Sequence, residues 1–249
     1  MIEMDKVNPR IFRYLGYSAY ENGNADLAIK SLESYISNPN NKIIAKDYLY
    51  LGTAKFKKGL SADRLSIDQN LYNSGLNDIN KAIEIEPLII EDLNEVGKKM
   101  FTSKLYKEAI PVFEFGTTNP EFKNYVDDNI YYGLSIYYAN NKKDIKPDPI
   151  QLQKADAAFG NVITASPSYQ DAYLYRARTN SLMGNDEMTI KYYETYIAKI
   201  TEKGPEELAK PTTTKKVIES YNNIAASYAN TDKVKAIEFF NKTLTIDPM

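Results

Sequence analysis

The chain has 249 residues, 43% hydrophobic and 26% charged, with 31 basic and 33 acidic side chains in mixed order and a formal charge of −2. No Lys/Arg block marks a nucleic-acid footprint, and no apolar run reaches the roughly 18 residues that a bilayer span needs. Cysteine, histidine and tryptophan are absent, which excludes disulfides, thiolate nucleophiles, histidine bases and zinc sites built on Cys or His.

The opening residues, MIEMDKVNP, lack the basic start and apolar core of a signal peptide. They read instead as the closing turn of a helical hairpin, comparable to TLTIDP at residues 243–248. A first hairpin follows over about residues 9–42. Leu15 and Gly16 mark its crossing, Gly23 and Asn24 its turn, and Ala28, Leu32 and Tyr35 its second helix. The second, about 43–89, has Leu51 and Gly52 at the crossing and closes at Pro87. It carries a polar insertion at 60–70 with room for one or two helical turns.

The third hairpin, about 90–122, repeats the pattern with Val96, Gly97, Phe101, Ala109 and Phe113. The fourth, about 123–168, uses Tyr132 and Gly133, then Ala155, Phe159 and Val162. Its insertion NNKKDIKPDP, rich in proline and charge, reads as a surface loop. A fifth, about 169–202, has Arg176, Ala177, Gly184 and Tyr196, and a Pro/Thr/Lys-rich connector at 203–216 has room for one helical turn. The sixth, about 217–249, is the plainest: Tyr221, Ile224, Ala225 and Tyr228 share one helical face. There Asp232 suits an N-cap, Ala236, Ile237, Phe240 and Leu244 recur at helical spacing, and Pro248 ends the helix.

A longer period lies over the short one. Pro39 and Pro120 are 81 residues apart, and Pro87, Pro167 and Pro248 follow at 80 and 81. Leu15-Gly16, Val96-Gly97 and Arg176-Ala177 keep the same intervals. Three copies of a two-hairpin unit account for both series. Because the chain opens on a closing turn and stops one residue after Pro248, it reads as a segment of a longer array, with any leader outside it.

The small–large pattern over six registered hairpins resembles the tetratricopeptide repeat, a helical hairpin of about 34 residues. The resemblance implies an all-α fold, a right-handed α-solenoid of about six hairpins in a single array, of a bacterial kind. It departs from the family where Tyr35 and Tyr196 stand for a small residue and Arg176 for an apolar one, which predicts wider hairpins there. The resemblance also implies a concave groove lined by first helices, where a partner peptide or helix binds. Carried over by register, the groove residues are Arg13, Tyr17, Tyr20, Lys46, Thr53, Lys98, Tyr137, Tyr138 and Arg178. Tyrosine and arginine dominate binding hot spots. The packing alternative is strongest for Tyr20, Phe56, Phe101 and Tyr137, which also suit contacts between neighbouring helices. The carboxylate clamp of some family members does not carry over. Its cationic places would hold Glu91 and Glu95, which repel a carboxylate.

Catalysis would rest on carboxylates or lysines alone. The pairs Asp127-Asp128 and Glu206-Glu207 are adjacent in sequence and point apart on a helix. No phosphate loop, dinucleotide fingerprint or Ca²⁺ loop is present. The expectation is a non-catalytic scaffold without cofactor or metal, binding a protein or peptide, with no nucleic acid and no membrane span. The alternative is a glycan-binding or outer-membrane-associated assembly component, since tyrosine faces also stack on sugars. The location is open between cytoplasm and periplasm, leaning to the periplasm.

Overall fold

A computed structural model describes residues 8–247. The chain is all-α. Among the described residues there is no named strand, only a lone antiparallel bridge between Leu60 and Ile67. The residues group into two compact units, one ending at Gly116 and the other beginning at Thr117. Expectations resting on residues 1–7 and on Pro248 lie outside the described residues.

The first unit holds three hairpins: α1 (Arg10–Glu21) with α2 (Ala25–Ile36), α3 (Ala45–Gly59) with α4 (Gln69–Ile85), and α5 (Asn94–Thr102) with α6 (Tyr106–Glu114). The second unit holds α7 (Tyr125–Asn140) with α8 (Pro149–Ala165) and α9 (Gln170–Leu182) with α10 (Asp186–Glu202). The single turn α11 (Pro205–Leu208) then leads to α12 (Pro211–Tyr228) with α13 (Lys233–Ile246).

Local chemistry sets the start of five of the six second helices. Asn24, Asp68, Asp148, Asn185 and Asp232 cap α2, α4, α8, α10 and α13, each side chain accepting from backbone N–H groups two or three residues on. This satisfies donors that the first turn leaves orphaned. The turns at Gly23 and Gly184 have φ of 84° and 71°, a region that glycine enters without steric cost.

Glycine also sets how closely each pair of helices crosses. A Cβ on Gly16 would stand 2.5 Å from Leu32, on Gly97 2.6 Å from Phe113, and on Gly133 2.7 Å from Phe159. At the α3/α4 crossing the backbones themselves touch, since a Cβ on Gly52 would lie 2.6 Å from the Gly75 carbonyl oxygen. Ala28, Leu32, Ile79, Phe113, Phe159 and Tyr193 fill the interior behind these contacts.

Two expectations need correction. Residues 60–68 form a tight loop instead of helical turns: the Ser61 hydroxyl and the Leu65 N–H both donate to Asp63, and Arg64 has φ of 60°, outside the helical region. The connector is shorter than read. Pro211 sits at the first position of α12 and starts it inside the stretch read as connector. Tyr35 and Tyr196 are buried within their units, with the Tyr35 hydroxyl donating to the Lys42 carbonyl.

Candidate functional site

In the first unit, α1 and α3 lie side by side and share a polar seam. Arg13 Nε donates to Asp47 Oδ1 at 2.7 Å and its Nη2 to Oδ2 at 2.6 Å, while the Tyr17 hydroxyl donates to Oδ1 at 2.6 Å. The Ile44 N–H adds a fourth bond to the same carboxylate at 2.9 Å. Asp47 has no exposed side-chain surface, so these bonds replace its water. The Arg13 guanidinium also stacks over the Tyr35 ring, 4.5 Å from its centre. The hydrogen bond to Asp47 raises the arginine pKa, and burial with the same carboxylate holds the Tyr17 phenol neutral well above its usual range. Tyr17, Tyr50 and Tyr20 continue the seam as packed rings, with centres 4.4 and 5.2 Å apart. Lys46 stands over the Tyr17 and Tyr50 rings at 5.7 and 5.4 Å.

Beyond Tyr20 the seam opens into a cleft of about 740 Å³ between α3, α5 and the 60–64 loop. Tyr20, Thr53, Phe56 and Met100 form its inner wall. Four cations line it, Lys57, Arg64, Lys98 and Lys99, against one carboxylate, Glu95. The Lys57 ammonium sits 5.1 Å from the Tyr20 ring centre, and Lys98 reaches Glu95 at 3.4 Å.

The second unit builds a related seam from α7, α9 and α12. Arg178 donates to both carboxylate oxygens of Glu219 at 2.6 Å, and the Tyr193 hydroxyl donates to Glu219 at 3.2 Å. Tyr138 and Tyr175 share a hydroxyl–hydroxyl bond of 2.8 Å, and the Arg178 guanidinium lies 4.8 Å from the Tyr175 ring centre. Lys216 on α12 reaches both oxygens of Asp171 on α9 at 2.9 Å. In the two-hairpin register Tyr17 and Arg178 are equivalent, and each reaches across to an acid on the next first helix.

The predicted groove residues therefore separate into three groups. Arg13, Tyr17 and Lys46 gather around Asp47, Tyr20, Thr53 and Lys98 line the cleft, and Tyr137, Tyr138 and Arg178 belong to the second seam. Thr53 is buried with its hydroxyl bonded to the Leu49 and Tyr50 carbonyls, and Tyr137 is buried against Tyr138 and Tyr175. Both contribute packing more than contact surface. Sequence reasoning passed over Asp47, Glu219, Lys57, Arg64 and Lys99. A signal for Asp47 existed: an acid three residues after the helix start, placed to accept from the Ile44 N–H. Nothing short-range marks Glu219.

Glu207 is held by Lys210 at 2.6 Å and Thr213 at 3.1 Å, and Asp148 is occupied as the cap of α8. Among the described residues no group of three Asp, Glu, His or Cys side chains could hold a metal ion. No described helix is long and apolar enough to cross a membrane.

Residues 12–41, covering α1, its turn and α2, match the tetratricopeptide repeat family. No curated protein matches the chain. Among solved structures the chain is similar to the C-terminal part of a TPR repeat-containing protein from Cytophaga hutchinsonii. That pair is 25% identical with a TM-score of 0.55, over 100% of this chain and 87% of that one. PilF of Pseudomonas aeruginosa is more distant, 12% identical with a TM-score of 0.43 over 96% of this chain and 92% of its own. A tetratricopeptide repeat protein from Parabacteroides merdae is 17% identical with a TM-score of 0.38, over 96% and 93%. Residues 12–41 thus match a tetratricopeptide repeat, and over its length the chain is similar in fold to the Cytophaga repeat protein, with helical hairpins in both units.

Proposed function

We propose that the chain is a non-catalytic scaffold that binds an acidic, extended protein segment in the cleft of its first unit. The observation that carries this reading is the lining: four cations against one acid around an apolar wall of Tyr20, Phe56 and Met100. A carboxylate-rich strand would find charge partners along the rim and ring or thioether surface beneath. Tyr20 and Lys98 are then contact residues. Arg13, Tyr17 and Arg178 act as staples that hold successive first helices at fixed spacing, so the surface is formed before the partner arrives. Lys46, Tyr137 and Tyr138 support the same seams.

The test is fluorescence anisotropy with a labelled Glu/Ser-rich peptide and a Lys/Ser-rich control of equal length. The acidic peptide should bind, should weaken as salt rises, and should lose about tenfold or more in affinity to Lys57→Glu with Lys99→Glu. Equal binding of both peptides, or an acidic peptide indifferent to the double reversal, would remove this cleft as the site.

A further inference from the structure

We infer that the segment held in the cleft of the first unit carries an aromatic residue among its acids, its ring entering between Lys57 and Lys98, an inference that rests on the acidic-segment reading above. The second unit shows what fills the matching space. By the long period α3 corresponds to α7, Gly52 falling on Gly133 at 81 residues, and α5 corresponds to α9, Gly97 falling on Ala177 at 80. Phe56 then corresponds to Tyr137, Lys57 to Tyr138, Glu95 to Tyr175 and Lys98 to Arg178.

Between α7 and α9 the second unit places two rings of its own. Tyr138 and Tyr175 have ring centres 6.3 Å apart and hydroxyls 2.8 Å apart. Both pack on Tyr137, with centres at 5.3 and 5.7 Å, and the Arg178 guanidinium stands over Tyr175 at 4.8 Å. In the first unit the surroundings of these rings are kept and the rings are not. Phe56 takes the place of Tyr137 and is buried, and Lys98 supplies a cation where Arg178 does. The residues that stand for the two rings are Lys57 and Glu95. Both are exposed, the Glu95 side chain at 75%, and the cleft of about 740 Å³ lies between them.

Long charged side chains keep their heads in water, so Lys57 and Glu95 leave the wall of Phe56 and Met100 uncovered. A ring brought by the partner would cover it. Rings gain from contact with Phe56 and from the Met100 thioether. They also gain from ammonium groups at their faces, and Lys57 already stands 5.1 Å from the Tyr20 ring in this way. An aliphatic side chain draws nothing from those cations. Acids on either side of the ring would then meet Arg64 and Lys99 at the rim.

Two Glu/Ser-rich peptides of equal length test this on the full chain, one with tryptophan at its centre and one with alanine. The chain has no tryptophan, so indole emission reports the peptide alone. The tryptophan peptide should bind about tenfold tighter than the alanine peptide, and its emission should shift to the blue on binding. The double variant Lys57→Tyr with Glu95→Tyr copies the rings of the second unit and leaves the net charge of the cleft unchanged, since one cation and one acid go together. It should bring the two affinities together and abolish the blue shift, with an unchanged circular dichroism spectrum because both positions are exposed. Equal affinities in the wild type overturn the ring and leave the acidic segment standing, and this comparison decides even where the variant does not fold. A tryptophan advantage that survives in the folded double variant does the same, as does a leucine peptide that binds as tightly as the tryptophan one. Binding of neither peptide overturns the ring and the acidic segment together.

Discussion

At the crossing of α7 and α8, Gly133 lies under the ring of Phe159, whereas the joint between α1 and α3 is made by Arg13, Tyr17 and Asp47. The first contact is hydrocarbon on a bare backbone, and its strength depends on shape. The second is charge and hydroxyl, and its strength depends on every bond being made. Crossings fix the angle within a hairpin. Seams fix the spacing between successive first helices.

The comparison is sharpest where a seam is most buried. Arg13→Ala should cost about 3 kcal/mol, the low end for breaking a buried ion pair, because Asp47 keeps its bonds from Tyr17 and the Ile44 N–H. Chemical denaturation would read this as a lower midpoint at unchanged slope. A loss near zero would mean that water reaches Asp47 and that the seam is a surface feature.

At the crossing, Gly133→Leu should cost about 1–3 kcal/mol through overpacking, since even the first added carbon would sit 2.7 Å from Phe159. Thermal melting is the measurement, and an unchanged curve would misplace the crossing. Arg178→Ala should cost less, about 1–2 kcal/mol. Glu219 is 34% exposed, so water can take over part of what the guanidinium supplied. Equal losses for Arg13→Ala and Arg178→Ala would erase the distinction between a dry and a wet seam.

How much of this was legible in the sequence follows the same division. A crossing glycine and its ring are near neighbours in the chain, as with Gly97 and Phe113, and the small–large rhythm repeats in every hairpin. So the all-α class, the crossing residues and the cap at Asp232 could be read directly. Seam partners are 34 residues apart for Arg13 and Asp47 and 41 for Arg178 and Glu219. No local periodicity connects them. Arg13 and Arg178 therefore read as open binding residues, when each side chain is occupied by a carboxylate of its own unit. The cleft cations Lys57, Arg64 and Lys99 were missed for a related reason. Arg64 comes from a loop whose turn at φ 60° is set by side-chain bonds to Asp63 and not by a repeat position.

The smallest expected effect concerns pH, and it separates the two kinds of contact without changing a glycine or an arginine. The Gly133–Phe159 contact holds no titratable group, whereas the seams hold phenols. Burial, then the bond to Tyr175, pushes the Tyr138 phenol up to about 12 from the usual tyrosine value near 10. A raised phenol favours the neutral form in the folded state. Its contribution is therefore fully present below about pH 10 and is lost as pH rises towards 12. Tyr138→Phe removes that contribution, and denaturation midpoints measured between pH 9 and 12 should fall less steeply for the variant than for the wild type. The difference should be modest, because Tyr17, Tyr72 and Tyr193 are raised as well and keep titrating in both chains. Parallel slopes would mean that Tyr138 is hydrated in solution and that the α7/α9 contact is made by its rings alone.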